Sequence, residues 1–414
     1  MNIKNLVPGA EGKIKDLAKF SVDNIAHLVG TYGPRPCGEA GETNAQLDLL
    51  KTLEGLADEA KREEYKVNPD AFMAFVPIAG TLLIGATGTS LGAAFTGKKG
   101  LNAVTAGLVG AALSAVVGEF VLYREPLDPL FKEKTSGNVW GIRKAKGETK
   151  KRIIVSGHTD SAPEWVYTYK LGSKGVVIVA GYAVVGLVAT IGATIASVVK
   201  PDLAKKLALA ELAFLPAYGL LYKFTDNKHY VPGASDDLSG SMVATSVMKF
   251  LKENDIRFED TDVITLLTGG EECGLRGAKA FFKAHPDFVT DDVETAYIGF
   301  DTVRDMDFME IYTGDMSGVV KNDKQASQLL VNAAKECGLD VPTGSIPLGS
   351  TDAAAASQAG VKASCFVAMD PAPARYYHTR LDTVDNLCED TIEKGINIAL
   401  NAVATYAEEG LPQA

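Results

Sequence analysis

The chain has 414 residues, a formal net charge of -11 and a sequence pI near 5.1. This length suits one large α/β domain with an added module, and an acidic chain without basic blocks argues against nucleic acid as a partner. The five cysteines are scattered and include no Cys-x-x-Cys pair, so we expect reduced thiols and no thiolate zinc site. The N-terminal stretch lacks the apolar segment of a signal peptide, and none is predicted.

The N-terminal region predicts two amphipathic helices and one exposed strand. Residues 14–29 and 43–56 show apolar side chains at helical spacing, and the Gly-Pro-Arg-Pro sequence at 33–36 prevents the first helix from continuing. Residues 62–67 are predicted to form a short exposed strand with weak alternation.

Four apolar segments then interrupt this soluble pattern. Residues 71–95 and 175–199 contain no charged side chain at all. Each is followed by a short loop with lysines and a second apolar stretch, which is 101–118 in the first case and 207–222 in the second. We therefore predict two hydrophobic helical hairpins of similar design, at 71–122 and 175–222.

The hairpins are predicted to be embedded in a membrane and to contact lipid. About 20 apolar residues cross a bilayer, and these segments lack the polar face of a surface helix. A buried helical bundle in a cytoplasmic protein is the alternative. Lysines occur both in the hairpin loops and in the flanks, so they assign no membrane side, and the sequence does not give the oligomeric state.

The other residues, 1–70, 123–174 and 223–414, are predicted to form one catalytic domain. Strands are expected at 137–142, 151–156, 263–267, 296–300 and 364–369, the first two paired across the polar turn 144–149. Helices are expected at 239–252, 275–283, 323–337 and 390–407. This alternation predicts an α/β three-layer sandwich around a central, mostly parallel mixed sheet, with an all-α hydrophobic hairpin module added.

Metal-binding side chains lie in loops that mostly follow these predicted strands. In chain order the candidates are His158 with Asp160, Asp236-Asp237, Glu271-Glu272, Asp301 and His378. Taken singly, each has a plain alternative, such as a surface histidine, a helix N-cap or acids at a helix start. Five such positions in one α/β domain instead indicate a metal centre, because the carboxyl ends of parallel strands meet at one edge of a sheet.

The residue types in this set indicate two metal ions. Two imidazoles and three carboxylates suit two zinc ions about 3.5–4 Å apart, bridged by a carboxylate and a water molecule. One glutamate remains free to accept a proton as a general base. Asp160, two residues after His158, is placed to fix the tautomer of that histidine.

These motifs resemble the M28 family of co-catalytic zinc peptidases, whose best-known members are aminopeptidases. The resemblance covers about 300 residues, everything outside the hairpins. The matching motifs are Gly-Pro-Arg-Pro at 33–36, His-x-Asp at 158–160, Gly-Ala-x-Asp-Asp-x-Ser-Gly at 233–240, Glu-Glu-x-Gly-x-x-Gly at 271–277, Asp301, Ser-Thr-Asp at 350–352, and Tyr-His-Thr at 377–379 with Asp382-Thr383.

The resemblance implies a role for each candidate. His158 and Asp301 would bind one zinc ion, Glu272 and His378 the other, and Asp236 would bridge the two. Glu271 would be the general base and Asp160 would orient His158. Many relatives carry histidine where this chain has Ala353, which leaves the role of Asp352 open.

The resemblance implies a metallo-aminopeptidase that removes N-terminal residues from peptides. Other metal-assisted amide chemistry, as in a carboxypeptidase or a glutaminyl cyclase, is a second hypothesis. An inactive membrane scaffold of the same fold is a third. The side-chain specificity and the native metal do not follow from the sequence.

Overall fold

The computed structural model describes residues 3–290, 292–372 and 374–413. These residues form two compact units. The first comprises the residues up to Pro69, Glu133–Ala162 and the residues from Tyr230 onward; the second comprises Asp70–Lys132 and Pro163–His229. Both predicted hydrophobic segments lie in the second unit.

Strands and helices alternate along most of the chain. The strands are β1 (Glu59–Val67), β2 (Lys134–Arg143), β3 (Lys151–His158), β4 (Pro163–Trp165), β5 (Thr225–Tyr230), β6 (Thr261–Thr268), β7 (Glu294–Val303), β8 (Met309–Asp315), β9 (Val320–Lys321), β10 (Thr343–Ser345) and β11 (Lys362–Ala368). The helices are α1 (Ile3–Leu6), α2 (Ala10–Tyr32), α3 (Ala40–Leu56), α4 (Phe75–Thr96), α5 (Lys99–Val116), α6 (Val166–Leu171), α7 (Ser173–Val199), α8 (Pro201–Glu211), α9 (Leu215–Leu221), α10 (Leu238–Glu253), α11 (Arg276–Ala284), α12 (Lys324–Glu336), α13 (Asp352–Ala359) and α14 (Glu389–Glu409).

The first unit is built on a nine-stranded sheet in the order β1-β2-β6-β3-β7-β11-β8-β10, with β9 paired to β8. The central strands β6, β3, β7 and β11 are mutually parallel, and the outer pairs include antiparallel ones. The sheet is therefore mixed and mostly parallel at its centre. The predicted fold class is confirmed.

Helices cover both faces of this sheet. Alternate residues of one strand point to opposite faces, and β3 shows this clearly. Ile153 and Val155 belong to an apolar core with α2, α10, α12 and α14, whereas Ile154 packs in a second core with Phe281 of α11 and Ala353 of α13. The result is three layers.

The predicted hairpin of β2 and β3 is wrong, because β6 lies between them. Leu266 of β6 faces Trp140 on β2 and Ser156 on β3. The polar turn after β2 bonds instead to the segment before β6, where the Lys146 and Gly147 amides donate to carbonyls at 258 and 259. A strand buried on both faces, such as β6, needs a hydrogen-bonded neighbour on each side.

The second unit is a bundle of apolar helices with the short sheet β4-β5. Three helical stretches are long and apolar enough to cross a membrane: Phe72–Thr96, Lys99–Val121 and Ser173–Val199, with mean hydropathy of 1.6, 1.8 and 2.3. The returning arm of the second predicted hairpin is not one helix. It divides into α8, a 3-10 turn at Leu212–Phe214 and α9, where Pro216 provides no amide hydrogen for a continuous helix.

Candidate metal centre

Three adjacent parallel strands bring their carboxyl ends to one place. β3 ends at His158, which lies opposite Thr268 at the end of β6, and β7 carries Asp301 near its own end. The amide of Thr159 donates to the carbonyl oxygen of Thr268 at 2.7 Å, so the two chain segments leave the sheet together. The segment carrying Glu271 and Glu272 therefore starts beside His158.

Asp237 fixes the loop that carries Asp236. Its carboxylate caps α10 by accepting from the Gly240 amide at 2.9 Å. The same carboxylate accepts from the His158 amide at 2.9 Å and from the Thr302 amide at 3.1 Å. One buried side chain thus ties the start of α10 to the ends of β3 and β7. The peptide bond between Asp236 and Asp237 is cis.

Two glycines permit this close approach. A Cβ atom at Gly240 would lie 2.0 Å from the Phe300 carbonyl oxygen, and one at Gly157 would lie 2.3 Å from the Ser241 amide nitrogen. Since no side chain fits in either gap, glycine at 157 and at 240 is a packing requirement of the site.

Five side chains predicted as metal ligands converge. Their atoms form two groups, each with all its ligand atoms within 4.8 Å of one another: His158, Asp236 and Asp301 in the first, and Asp236, Glu272 and His378 in the second. The Nε2 atom of His158 lies 3.1 Å from Asp236 Oδ1, and that of His378 lies 3.0 Å from Asp236 Oδ2. Asp236 is therefore common to both groups and presents one oxygen to each.

The donor set fits divalent zinc. Imidazole nitrogens and carboxylate oxygens are among its usual protein ligands. Two buried carboxylate oxygens, Asp236 Oδ2 and Glu272 Oε1, have no hydrogen-bond donor among the described residues. The Nε2 atom of His378 lies 3.0 Å from the first oxygen and 3.2 Å from the second. Buried oxygens of this kind are costly unless a cation binds them.

Charge and burial shift the ionisation of the whole cluster. Burial, and after it the charge of Asp236, raises the pKa of Asp301 to about 7. Burial also raises the pKa of Glu271 well above its usual range. Burial opposes the protonation of His378, but Glu272 and Asp236 outweigh it and raise its pKa to about 10. The site thus concentrates negative charge in a dry environment, where a bound cation is the largest local counter-charge.

Asp160 contacts both halves of the site. Its Oδ1 atom lies 3.3 Å from His158 Nδ1. Its two oxygens also accept from the backbone amides of Glu271 and Glu272, at 3.0 and 3.1 Å. The second contact did not follow from the sequence. Through it, Asp160 holds the backbone of the glutamate segment beside the histidine.

Arg35 and Asp382 support the ligand loops in ways that the sequence reasoning missed. Arg35 is fully buried and donates to the carbonyl oxygens of Thr159, Pro232 and Gly233 at 2.6 to 2.8 Å. The Asp382 carboxylate accepts from the amide of Asp236 at 3.0 Å and from the preceding amide at 2.8 Å. Both residues belong to motifs noted in the sequence. The motifs did not indicate their partners, because these partners are backbone atoms of distant segments of the chain.

Asp352 lies close to the site. Its Oδ2 accepts from the hydroxyl of Thr268 at 2.5 Å, at the end of β6. The next residue, Ala353, is fully buried in the second apolar core. The position where many relatives carry histidine therefore contributes only packing in this chain.

The fold is shared with solved zinc aminopeptidases. The zinc aminopeptidase BSAP from Bacillus subtilis aligns over 93% of this chain and 94% of its own, with a TM-score of 0.55 and 14% identity. The aminopeptidase from Aneurinibacillus sp. strain AM-1 aligns over 95% of both chains, with a TM-score of 0.57 and 13% identity. Glutaminyl cyclase from Porphyromonas gingivalis also has this fold, over 94% of this chain and 97% of its own, with a TM-score of 0.54 and 11% identity.

The shared fold and a family match together support a metallopeptidase, which is a hydrolase. Residues 223–403 match the model of peptidase family M28. The predicted resemblance is confirmed. Four of the proposed ligands, Asp236, Glu272, Asp301 and His378, lie inside the matched residues, and His158 precedes them. A search of curated protein sequences gave no match.

Proposed function

We propose that the protein is a dinuclear zinc aminopeptidase that hydrolyses N-terminal residues from peptides. The observation that carries this proposal is the position of Asp236, which presents one carboxylate oxygen to each of two groups of ligand atoms. A carboxylate shared in this way can serve two metal ions that lie about 3.5–4 Å apart.

In this proposal each ligand has one role. His158 and Asp301 would hold the first zinc ion, Glu272 and His378 would hold the second, and Asp236 would hold both. Bound zinc supplies Lewis acidity toward the scissile carbonyl and makes water a stronger nucleophile near neutral pH.

The remaining groups of the site position the ligands and move a proton. Glu271 accepts a proton from the attacking water and passes it to the leaving amine. The Oε2 atom of Glu271 lies 3.9 Å from His158 Nε2, at the edge of the cluster. Asp160 contacts both the backbone of this glutamate and the ring of His158. These contacts fix the position of the proposed base relative to the first proposed zinc ligand.

The first test is hydrolysis of a panel of aminoacyl amides by the full-length protein, with metal analysis of the same sample. We expect about two zinc ions per chain and activity that requires a free N-terminal amine. Removing the metal with a chelator should abolish activity, and zinc should restore it. Turnover only of blocked or C-terminal substrates, or cyclisation of N-terminal glutamine, would replace the aminopeptidase assignment. Absence of bound metal together with absence of activity would leave the scaffold hypothesis.

The second unit is proposed to be embedded in a lipid bilayer. Its helix α7 buries small residues and exposes large apolar ones. Gly186, Thr190 and Ala193 face the bundle, whereas Val188, Ile195 and other branched residues are exposed. A soluble bundle has the opposite distribution, with large apolar side chains inside, while small residues between helices are typical of bundles in lipid.

A single charge at mid-helix distinguishes lipid from water around α7. Val188 is 62% exposed and lies near the middle of the helix. In a bilayer, Val188→Lys should lower the amount of protein recovered in membranes, because lysine there costs about 2.5–3.5 kcal/mol. Val199→Lys is the matched control, since Val199 is 69% exposed but ends the helix. If both variants are recovered like the unmodified protein after membrane fractionation, water surrounds the helix and the bilayer proposal fails.

A further inference from the structure

Two cysteines far apart in the sequence lie together in one small buried cluster beside the glutamate segment. Cys37 and Cys273 are 2% and 9% exposed and lie in a small cluster with Val67, against which Tyr65 packs. The Sγ atom of Cys37 also lies only 2.8 Å from the position that a Cβ atom would take on Gly270. The thiol therefore rests on the backbone of the residue before Glu271.

The cluster of Cys37, Val67 and Cys273 joins two chain segments that lie next to the proposed metal centre. Cys37 lies two residues after Arg35, whose side chain binds the loops of His158 and Asp236. Cys273 directly follows Glu272 in a compact turn, in which the Arg276 amide donates to the Gly270 carbonyl at 3.0 Å. No role in the proposed reaction falls to either thiol.

We propose that Cys37 and Cys273 form an oxidative modification site, at which a small two-electron oxidant of the peroxide class joins them in a disulfide bond. In the first step the Sγ atom of Cys273, the more exposed of the two, attacks one peroxide oxygen. The O–O bond breaks, giving a sulfenic acid and one molecule of water. In the second step the Cys37 thiol attacks this sulfur, the S–O bond breaks, and a second water leaves with the thiol proton. The two thiols lose two electrons, and the peroxide is reduced to two waters.

The disulfide would move the glutamates. A disulfide bond is about 2.05 Å long, much shorter than a contact between two thiols, so its formation draws the turn around Glu271 and Glu272 toward Cys37. Misplacement of a reacting group by about 1 Å can cost about 100-fold in rate. We therefore expect oxidation to suppress the activity and reduction to restore it. This effect on activity rests on the proposed peptidase function, whereas the disulfide itself does not.

The test treats the full-length protein with hydrogen peroxide and follows both chemistry and activity. Free thiols counted after denaturation should fall by two from the five in the chain, and peptide mapping should give one cross-linked pair containing Cys37 and Cys273. Peptidase activity should fall at least about tenfold and return with a dithiol reductant, which leaves oxidised methionine unchanged. In Cys37→Ser and, independently, Cys273→Ser, no cross-link should form and peroxide should leave most activity. Cys388→Ser, which alters a half-buried cysteine elsewhere, should respond like the unmodified protein.

Each other outcome overturns a defined part of the proposal. Absence of the cross-linked peptide in protein that is folded and active removes the modification site. A cross-link that leaves activity unchanged removes its control over the glutamates. Protein inactive before oxidation contradicts the peptidase function, and the peptide map still decides whether the disulfide forms.

Discussion

Replacing Glu271 by glutamine should lower kcat by about 10²–10⁴-fold while zinc binding is retained. Glutamine preserves the shape of the side chain but cannot accept a proton from the attacking water. Neither of the two ligand groups that share Asp236 contains Glu271, so the metal content should stay at the value of the unmodified protein. Steady-state kinetics and metal analysis on the same preparation provide the measurement.

A control variant separates the effect of losing Glu271 from the effect of removing any one carboxylate from the protein. Glu253→Gln removes a half-exposed carboxylate at the end of α10 and should leave kcat and zinc content unchanged. A Glu271→Gln enzyme with a near-normal rate would show that another group carries the proton. Loss of zinc from that variant would instead make Glu271 a ligand, a role that its proximity to His158 and Glu272 allows geometrically.

The second large effect is expected at the shared ligand. Asp236→Asn should reduce bound zinc to well below one ion per chain and abolish measurable activity, because the amide offers one neutral oxygen where two groups of ligands each need an anionic one. Asp301→Asn is the matched comparison. Asp301 belongs to one group only, so this variant should retain the zinc ion held by Glu272 and His378.

The stoichiometries of these two variants decide between one metal site and two. Equal zinc contents in Asp236→Asn and Asp301→Asn would contradict the shared-carboxylate arrangement. Thermal unfolding of the metal-free proteins is the control for folding. Asp301→Asn should not destabilise the metal-free chain, since Asp236 repels the Asp301 carboxylate. Asp236→Asn should destabilise it, because the Asp236 carboxylate lies 3.1 and 3.0 Å from the imidazoles of His158 and His378, which favour its charged form.

The convergence of the proposed ligands could be predicted, because each lies at a position that the sequence makes recognisable. His158 and Asp301 lie at or near the ends of apolar strands, and in an α/β sheet such ends share one edge. The type of residue and its place on the element were sufficient here. The family match and the shared fold support the same class of protein without assigning these roles.

The sequence could not reveal contacts that depend on distant backbone atoms. β2 and β3 are close in sequence and looked paired, but the partner of both is β6, more than a hundred residues after β3 begins. The carbonyl groups bound by Arg35 and the amides bound by Asp160 are likewise invisible in a list of side chains. Strand order and loop support are set by tertiary packing, which local patterns do not encode.

The interleaving of the two units has a consequence for biosynthesis. Both apolar stretches of the second unit leave the ribosome before Asp236 and every proposed ligand after it. Helix α2 packs against α14. It therefore cannot complete its packing until α14 has been synthesised. Chains generally fold as units in the order of their synthesis, but this catalytic unit is completed only after its final segment is made. In a nascent chain the apolar helices can therefore fold before the site that would cleave peptides is complete.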